Sequence, residues 1–90
     1  MIPATAFPKQ LEVFPDSIYL RRSDPQKNIN RFYMMLVQPD LFGGASLIRE
    51  WGRIGRAGRV TVTRYKDQAQ AVNQLDDYVT KKKKRGYAPI

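Results

Sequence analysis

The chain is predicted to fold as a small α+β domain: an antiparallel β-sheet with one C-terminal α-helix packed on one face, and an extended N-terminal arm. Three observations predict it. Apolar runs of strand length are punctuated by turn chemistry such as Asp24-Pro25 and Gly43-Gly44. A single segment, Asp67 to Lys84, carries apolar residues at three-to-four spacing. A glycine-rich stretch, Trp51 to Arg59, joins two apolar or β-branched runs as a hairpin tip does. At 90 residues there is room for one core.

Taken in order, residues 1–16 read as the arm. Prolines at 3, 8 and 15 argue against a helix or central strand, while Phe7, Leu11, Val13 and Phe14 argue for packing along the domain, over an otherwise open sheet face. Ser17 to Arg22 alternates as a first strand, and Ser23 to Asn28 is a turn. From Asn30 to Gln38 the apolar run is nearly unbroken. Periodicity alone leaves a helix open there; the length, the aromatic content and the closing Pro39 favour a central strand buried on both faces. Such a strand needs cover from the helix on one side and, by expectation, from the arm on the other.

Pro39 to Gly44 is a loop in which Leu41 and Phe42 are expected to act as anchors. Ala45 to Arg53 and Arg59 to Tyr65 form the third and fourth strands. On the fourth, Val60 and Val62 point one way while Arg59, Thr61, Thr63 and Tyr65 point the other. The helix starts on Asp67 as N-cap with Gln70 three residues on. Its stripe is Ala71, Val72, Leu75, Tyr78 and Val79. Lysines fill the last turn, where they complement the helix dipole, and Gly86 is the stop. Residues 17–87 make the domain and 88–90 a tail.

Composition narrows the function classes. Cysteine and histidine are both absent, which removes disulfides, soft-metal sites and every nucleophile–base pair built on thiolate or imidazole. No apolar stretch approaches the roughly 20 residues of a membrane span. The N-terminus lacks a signal peptide's pattern, so a cytoplasmic location is expected. Of the eight carboxylates, each reads as a turn residue, a cap or a surface charge, and adjacent Asp76 and Asp77 diverge on the helix. No catalytic residue, metal or cofactor is therefore expected, and no enzymatic role. The net charge of +8 attracts polyanions, nucleic acid before an anionic membrane surface, although solubility alone accounts for it equally well. Because the sheet should consume the helix's apolar stripe, no membrane partner is expected.

The candidate site lies on Trp51-Gly52-Arg53-Ile54-Gly55-Arg56-Ala57-Gly58-Arg59. It holds the only tryptophan and three of the six glycines. Gly55 and Gly58 are expected to supply positive φ and to leave backbone amides uncovered. Trp51 reads either as a rim anchor of the core or as a stacking platform for a nucleotide. Arg53, two residues on, shares its side of the strand and reads as a solvated charge or a bidentate phosphate clamp. Arg56 and Arg59 flank Gly58 within reach of a passing backbone.

Trp51-Gly52-Arg53 followed by Ile54-Gly55 resembles the signature of the WGR domain family, found in DNA-damage-responsive poly(ADP-ribose) polymerases and in small bacterial proteins. Asn30-Arg31-Phe32-Tyr33 opening a strand, the hairpin, and one helix ending near Gly86-Tyr87 agree in order, so the resemblance covers roughly residues 17–87. Arg59 departs from it, since glutamine is usual there. The resemblance implies a small antiparallel sheet crossed by one helix, and a stand-alone bacterial protein with a role in DNA repair. It implies that Trp51 packs against the terminal nucleotide of a DNA break, that Arg53 lies at the same contact, and that Asn30 and Arg31 lie near the DNA. Phe32 and Tyr33 match too, with the core as their expected place. In the polymerases the matching arginine also relays a signal to a catalytic domain, a role expected to be empty here unless a separate partner supplies one.

Lys81-Lys82-Lys83-Lys84-Arg85 reads as a solvated helix end, or, if it faces the hairpin, as an extension of the electrostatic footprint, with Lys81 and Lys82 leading. The combined expectation is a nucleic-acid-binding module, for DNA ends, nicks or junctions rather than a base sequence. No helix carries the side-chain pattern of major-groove reading. The alternative is a protein-interaction module docking on a separately encoded DNA-processing partner, with Trp51 as the hot spot. A monomer is expected rather than a dimer.

Overall fold

A computed structural model describes residues 16–90 of the chain. The expected arm, residues 1–16, lies outside the described residues save for Asp16, whose carbonyl accepts the Val37 N–H and whose carboxylate accepts from Gln68. The described elements are β1 (Ser17–Asp24), a 3-10 turn (Pro25–Lys27), β2 (Ile29–Pro39), β3 (Ala45–Arg53), β4 (Arg59–Tyr65), α1 (Gln68–Lys84) and β5 (Ala88–Pro89). The strands form one antiparallel sheet in the order β4-β3-β2-β1-β5.

The run Phe32 to Val37 is buried on both faces, as its unbroken apolar character requires. On the first face Leu20, Tyr33, Met35, Val37 and Leu47 pack against Ala71 and Leu75 of α1. On the second face Phe32, Met34, Leu36 and Ile48 cluster with Tyr19, Ile54 and Val60. Among the described residues no helix lies on that second face. Val62 shares its parity but is 62% exposed, because β4 is an edge strand.

Helix α1 is closed at both ends by its own sequence. The Asp67 carboxylate accepts the Gln70 N–H at 2.8 Å. At the far end Gly86, at φ +95, lets its own N–H reach the Lys83 carbonyl (3.0 Å) and the Tyr87 N–H reach Lys82 (3.1 Å). This reversal sends the chain back along β1. There residues 88–90, read from the sequence as a tail, add a short strand: Pro89 pairs with Leu20 and Ala88 with Arg21. Pro89 has no N–H to donate, which an edge position tolerates.

The β2–β3 loop departs from expectation. Leu41 and Phe42 anchor nothing, being 98% and 89% exposed. The loop is instead held by Asp40, whose Oδ1 accepts the N–H groups of Phe42 (2.8 Å) and Gly44 (3.0 Å), and whose Oδ2 pairs with Arg64 Nε at 2.9 Å. The Phe42 N–H, then Arg64, hold the Asp40 carboxyl below its ordinary range. A carboxyl depressed in the folded state stabilises fully above its unfolded pKa, about 3.9, and loses that contribution as pH falls through the folded value. The Tm difference between wild type and Asp40→Ala should therefore shrink steadily as melts are taken to lower pH below about 4. A difference that does not change with pH would mean the carboxylate's charge plays no part.

Candidate functional site

The hairpin joining β3 to β4 is built by close approach. Its Gly55 has φ +88, as the turn chemistry predicts. Gly58 does not have positive φ, contrary to expectation; it is glycine for want of space. A Cβ there would lie 2.5 Å from the Trp51 carbonyl oxygen and 2.8 Å from the Phe32 ring. Nor is its amide uncovered: the Gly58 N–H donates to Glu50 Oε2 at 3.3 Å. Glu50, read from the sequence as an ordinary turn, cap or surface carboxylate, is fully buried, and its Oε1 has no partner among the described residues. Burial pushes its carboxyl pKa up, against the opposing effect of the Gly58 hydrogen bond. Ile54 completes the anchoring by packing on the second face and donating its N–H to the Asn30 carbonyl at 2.9 Å.

Strand parity then sorts the candidates. Arg31, Trp51, Arg53 and Arg59 share the helix-bearing face, with Arg31 directly across from Arg53 and Trp51 across from Arg59. Asn30 is one residue out of phase, so its side chain belongs to the second face. It serves the hairpin through its carbonyl rather than fronting the tryptophan. Gly52 is also on the second face, where a Cβ would sit 3.1 Å from the Gly58 Cα. Arg56 and Arg59 are exposed on the tip, and the Arg56 N–H closes a turn onto the Arg53 carbonyl.

Trp51 is half-buried. One ring face is taken by Tyr33, stacked at 5.5 Å with 18° between planes. The rest of the indole divides two cavities. The first, about 410 Å³, is bordered by Lys27, Asn28, Arg31, Arg53 and Tyr87. Arg53 is not a loose charge here: Nη1 donates to the Asn28 carbonyl at 3.1 Å and Nη2 to Asn28 Oδ1 at 3.0 Å. Asn28 can receive both because it sits at φ 54, a left-handed position that asparagine tolerates.

The second cavity, about 280 Å³, lies between Trp51 and the end of α1, and Arg49 and Tyr78 face it with Lys81, Lys82 and Arg85. The basic run at the helix end is thus divided: Lys81, Lys82 and Arg85 turn toward the hairpin's tryptophan, while Lys83 and Lys84 do not border either cavity. Lys82 is half-buried, with its ammonium 4.5 Å from the Tyr33 ring centroid and 5.5 Å from that of Tyr87. Desolvation, then Arg85, Arg49 and Arg31, lower its pKa. No carboxylate offsets this charge: among the described residues the one ion pair is Arg64–Asp40, at the other end of the β2–β3 hairpin.

Arg49 escaped the sequence reading. Its signal was parity, two residues before Trp51 on the same face. Tyr78 was read only as part of the apolar stripe.

Residues 16–90 match the family model of the WGR domain. The uncharacterized protein y4dW of Sinorhizobium fredii (strain NBRC 101917 / NGR234) is 41% identical over 75 residues, which are 83% of this chain and 37% of that protein. The chain thus spans little more than a third of that relative's length. Among the described residues no helix is long and apolar enough to cross a membrane.

Proposed function

The chain belongs to the WGR domain family, and from that premise we propose that it is a nucleic-acid-binding module, for DNA ends, nicks or junctions in preference to a base sequence. The family is associated with nucleic-acid binding in poly(ADP-ribose) polymerases. The observation that carries the reading is the convergence of Arg31, Arg53 and Lys82, from three separate elements, around a partly exposed indole with no carboxylate among them. A ring edge beside guanidinium groups suits an exposed terminal nucleotide: the indole takes the base or sugar, and the arginines take flanking phosphates. Preset Arg53 loses less freedom on binding than a mobile side chain would.

The role is binding rather than catalysis. Asp40 and Asp67 are committed to a loop and a cap, and Glu50 is sealed beneath the hairpin. With about four phosphates neutralised, affinity should fall about a hundredfold between about 50 and about 200 mM salt. Mobility shifts on linear, nicked and closed circular duplex across that range test this; absent or salt-insensitive binding sinks it.

A second reading, docking on a DNA-processing protein, draws on the Leu41–Phe42 loop. Two large apolar side chains held out by a hydrogen-bonded turn are a preordered anchor for an apolar pocket. The loop lies at the far end of β2 and β3 from Trp51, so the two surfaces do not compete.

A further inference from the structure

We propose that the cavity between α1 and the sheet is a phosphate-binding subsite in its own right, with Arg49 as its central donor. This deepens the nucleic-acid reading and rests on it for one of the two sources the phosphate can have, a nucleic-acid backbone or the diphosphate group of a free nucleoside diphosphate.

Arg49 is held by neutral groups and, among the described residues, by no carboxylate. Its guanidinium carbon lies 4.3 Å from the Tyr78 ring centroid and 5.3 Å from that of Trp51, and Nη1 donates to the Tyr33 hydroxyl at 3.0 Å. Both rings and the phenol fix the plane of the guanidinium. They are neutral, however, and leave its charge uncompensated. A guanidinium has five N–H donors; one is committed to Tyr33, and the cavity borders the group. A fork held rigid in this way matches the oxygens of a phosphate, which accept two parallel bonds.

The surroundings reinforce the charge instead of cancelling it. Lys81, Lys82 and Arg85 come from α1, and Arg31 acts on Lys82 from β2. The helix dipole accounts for cations in the last turn of α1. It does not account for Arg49, which stands on β3. Like charges gathered at a half-buried ammonium raise the free energy of the empty site, and an anion placed among them lowers it. At about 280 Å³ the space admits a phosphate group with its linkage but no large ligand. Trp51 borders both this cavity and the Arg31–Arg53 cavity, so two phosphates of one strand can be held beside the same indole.

The test uses Trp51, the only tryptophan in the chain, as a fluorescent reporter. Inorganic pyrophosphate is titrated into wild type, Arg49→Met and Lys84→Ala, a cation that borders neither cavity, and the same proteins are titrated with end-bearing duplex DNA. The methionine keeps an unbranched stem against the rings and removes the charge. Should it fail to fold by thermal melting, Arg49→Lys keeps the charge and loses only the fork. Saturable pyrophosphate binding is expected in wild type and in Lys84→Ala, weakened at least tenfold in Arg49→Met and severalfold in Arg49→Lys. DNA affinity should also fall at least tenfold in Arg49→Met. If pyrophosphate binding depends on Arg49 but DNA does not bind even to wild type, the subsite stands with a free diphosphate group as its source, and the nucleic-acid reading falls. If DNA binds wild type and Arg49→Met equally, or pyrophosphate affinity ignores the substitution, the subsite is overturned while the nucleic-acid reading survives.

Discussion

Trp51→Ala is expected to weaken binding to end-bearing DNA by about ten- to a hundredfold, the equivalent of roughly 1–3 kcal/mol per stacked base. The variant also loses the stack on Tyr33 and part of the first-face core, so stability should fall too. Because the indole is only half-buried, that loss should lie below the roughly 3–5 kcal/mol of a fully buried tryptophan. Trp51→Phe separates the two effects: it keeps a ring on Tyr33 and should recover most of the melting temperature but only part of the affinity. Direct titration of both variants, with melts alongside, decides the matter. Undiminished DNA affinity in a folded Trp51→Ala protein would remove the indole from the contact. If a protein partner docks instead through Leu41 and Phe42, that docking should be untouched by the substitution.

The second large effect lies beneath the site. In Gly58→Ala the new methyl would meet the Trp51 carbonyl oxygen at 2.5 Å, Phe32 Cζ at 2.8 Å and Glu50 Cγ at 2.9 Å. Two of those neighbours are a strand backbone and a buried ring, neither able to swing away. The hairpin must open, and the Gly58 N–H must leave Glu50. A cost of about 3 kcal/mol is expected, at the upper end of overpacking, with a fall in Tm of some 10–20 °C for a domain of this size. Gly55→Ala is the control. Nothing lies within 4 Å of its Cβ position, so only the strain of φ +88 remains, about 1–2 kcal/mol. Equal melting temperatures for the two alanine variants would refute the packing explanation.

The strands and the helix were legible because their signals are local. The limits of β3 and β4 follow from alternation and glycine punctuation, and α1 from a stripe, a cap and a stop. The shared face of Trp51 and Arg53 was legible for the same reason, since a separation of two residues puts side chains on one side of a strand. Glu50 was not. Its parity sets it among Phe32 and Val60 on the second face, where a carboxylate looks misplaced until the missing Cβ of Gly58 and its amide are seen to receive it. Strand β5 was illegible because two residues carry no propensity; the open edge of β1 and the reversal at Gly86 create it.

By itself, then, the sequence determined the α+β class, the family, the hairpin and the excess of positive charge. Each of these is written in spacing, composition or contiguous motif. Only the tertiary structure decided that Lys82 and Arg85 turn toward Trp51 while Lys83 and Lys84 do not border its cavities, that Asn28 orders Arg53, and that Arg49 is seated between Tyr78 and Trp51. Those residues come from elements distant in the chain. Their meeting depends on strand register and on how α1 crosses the sheet, which long-range packing sets and no local pattern records.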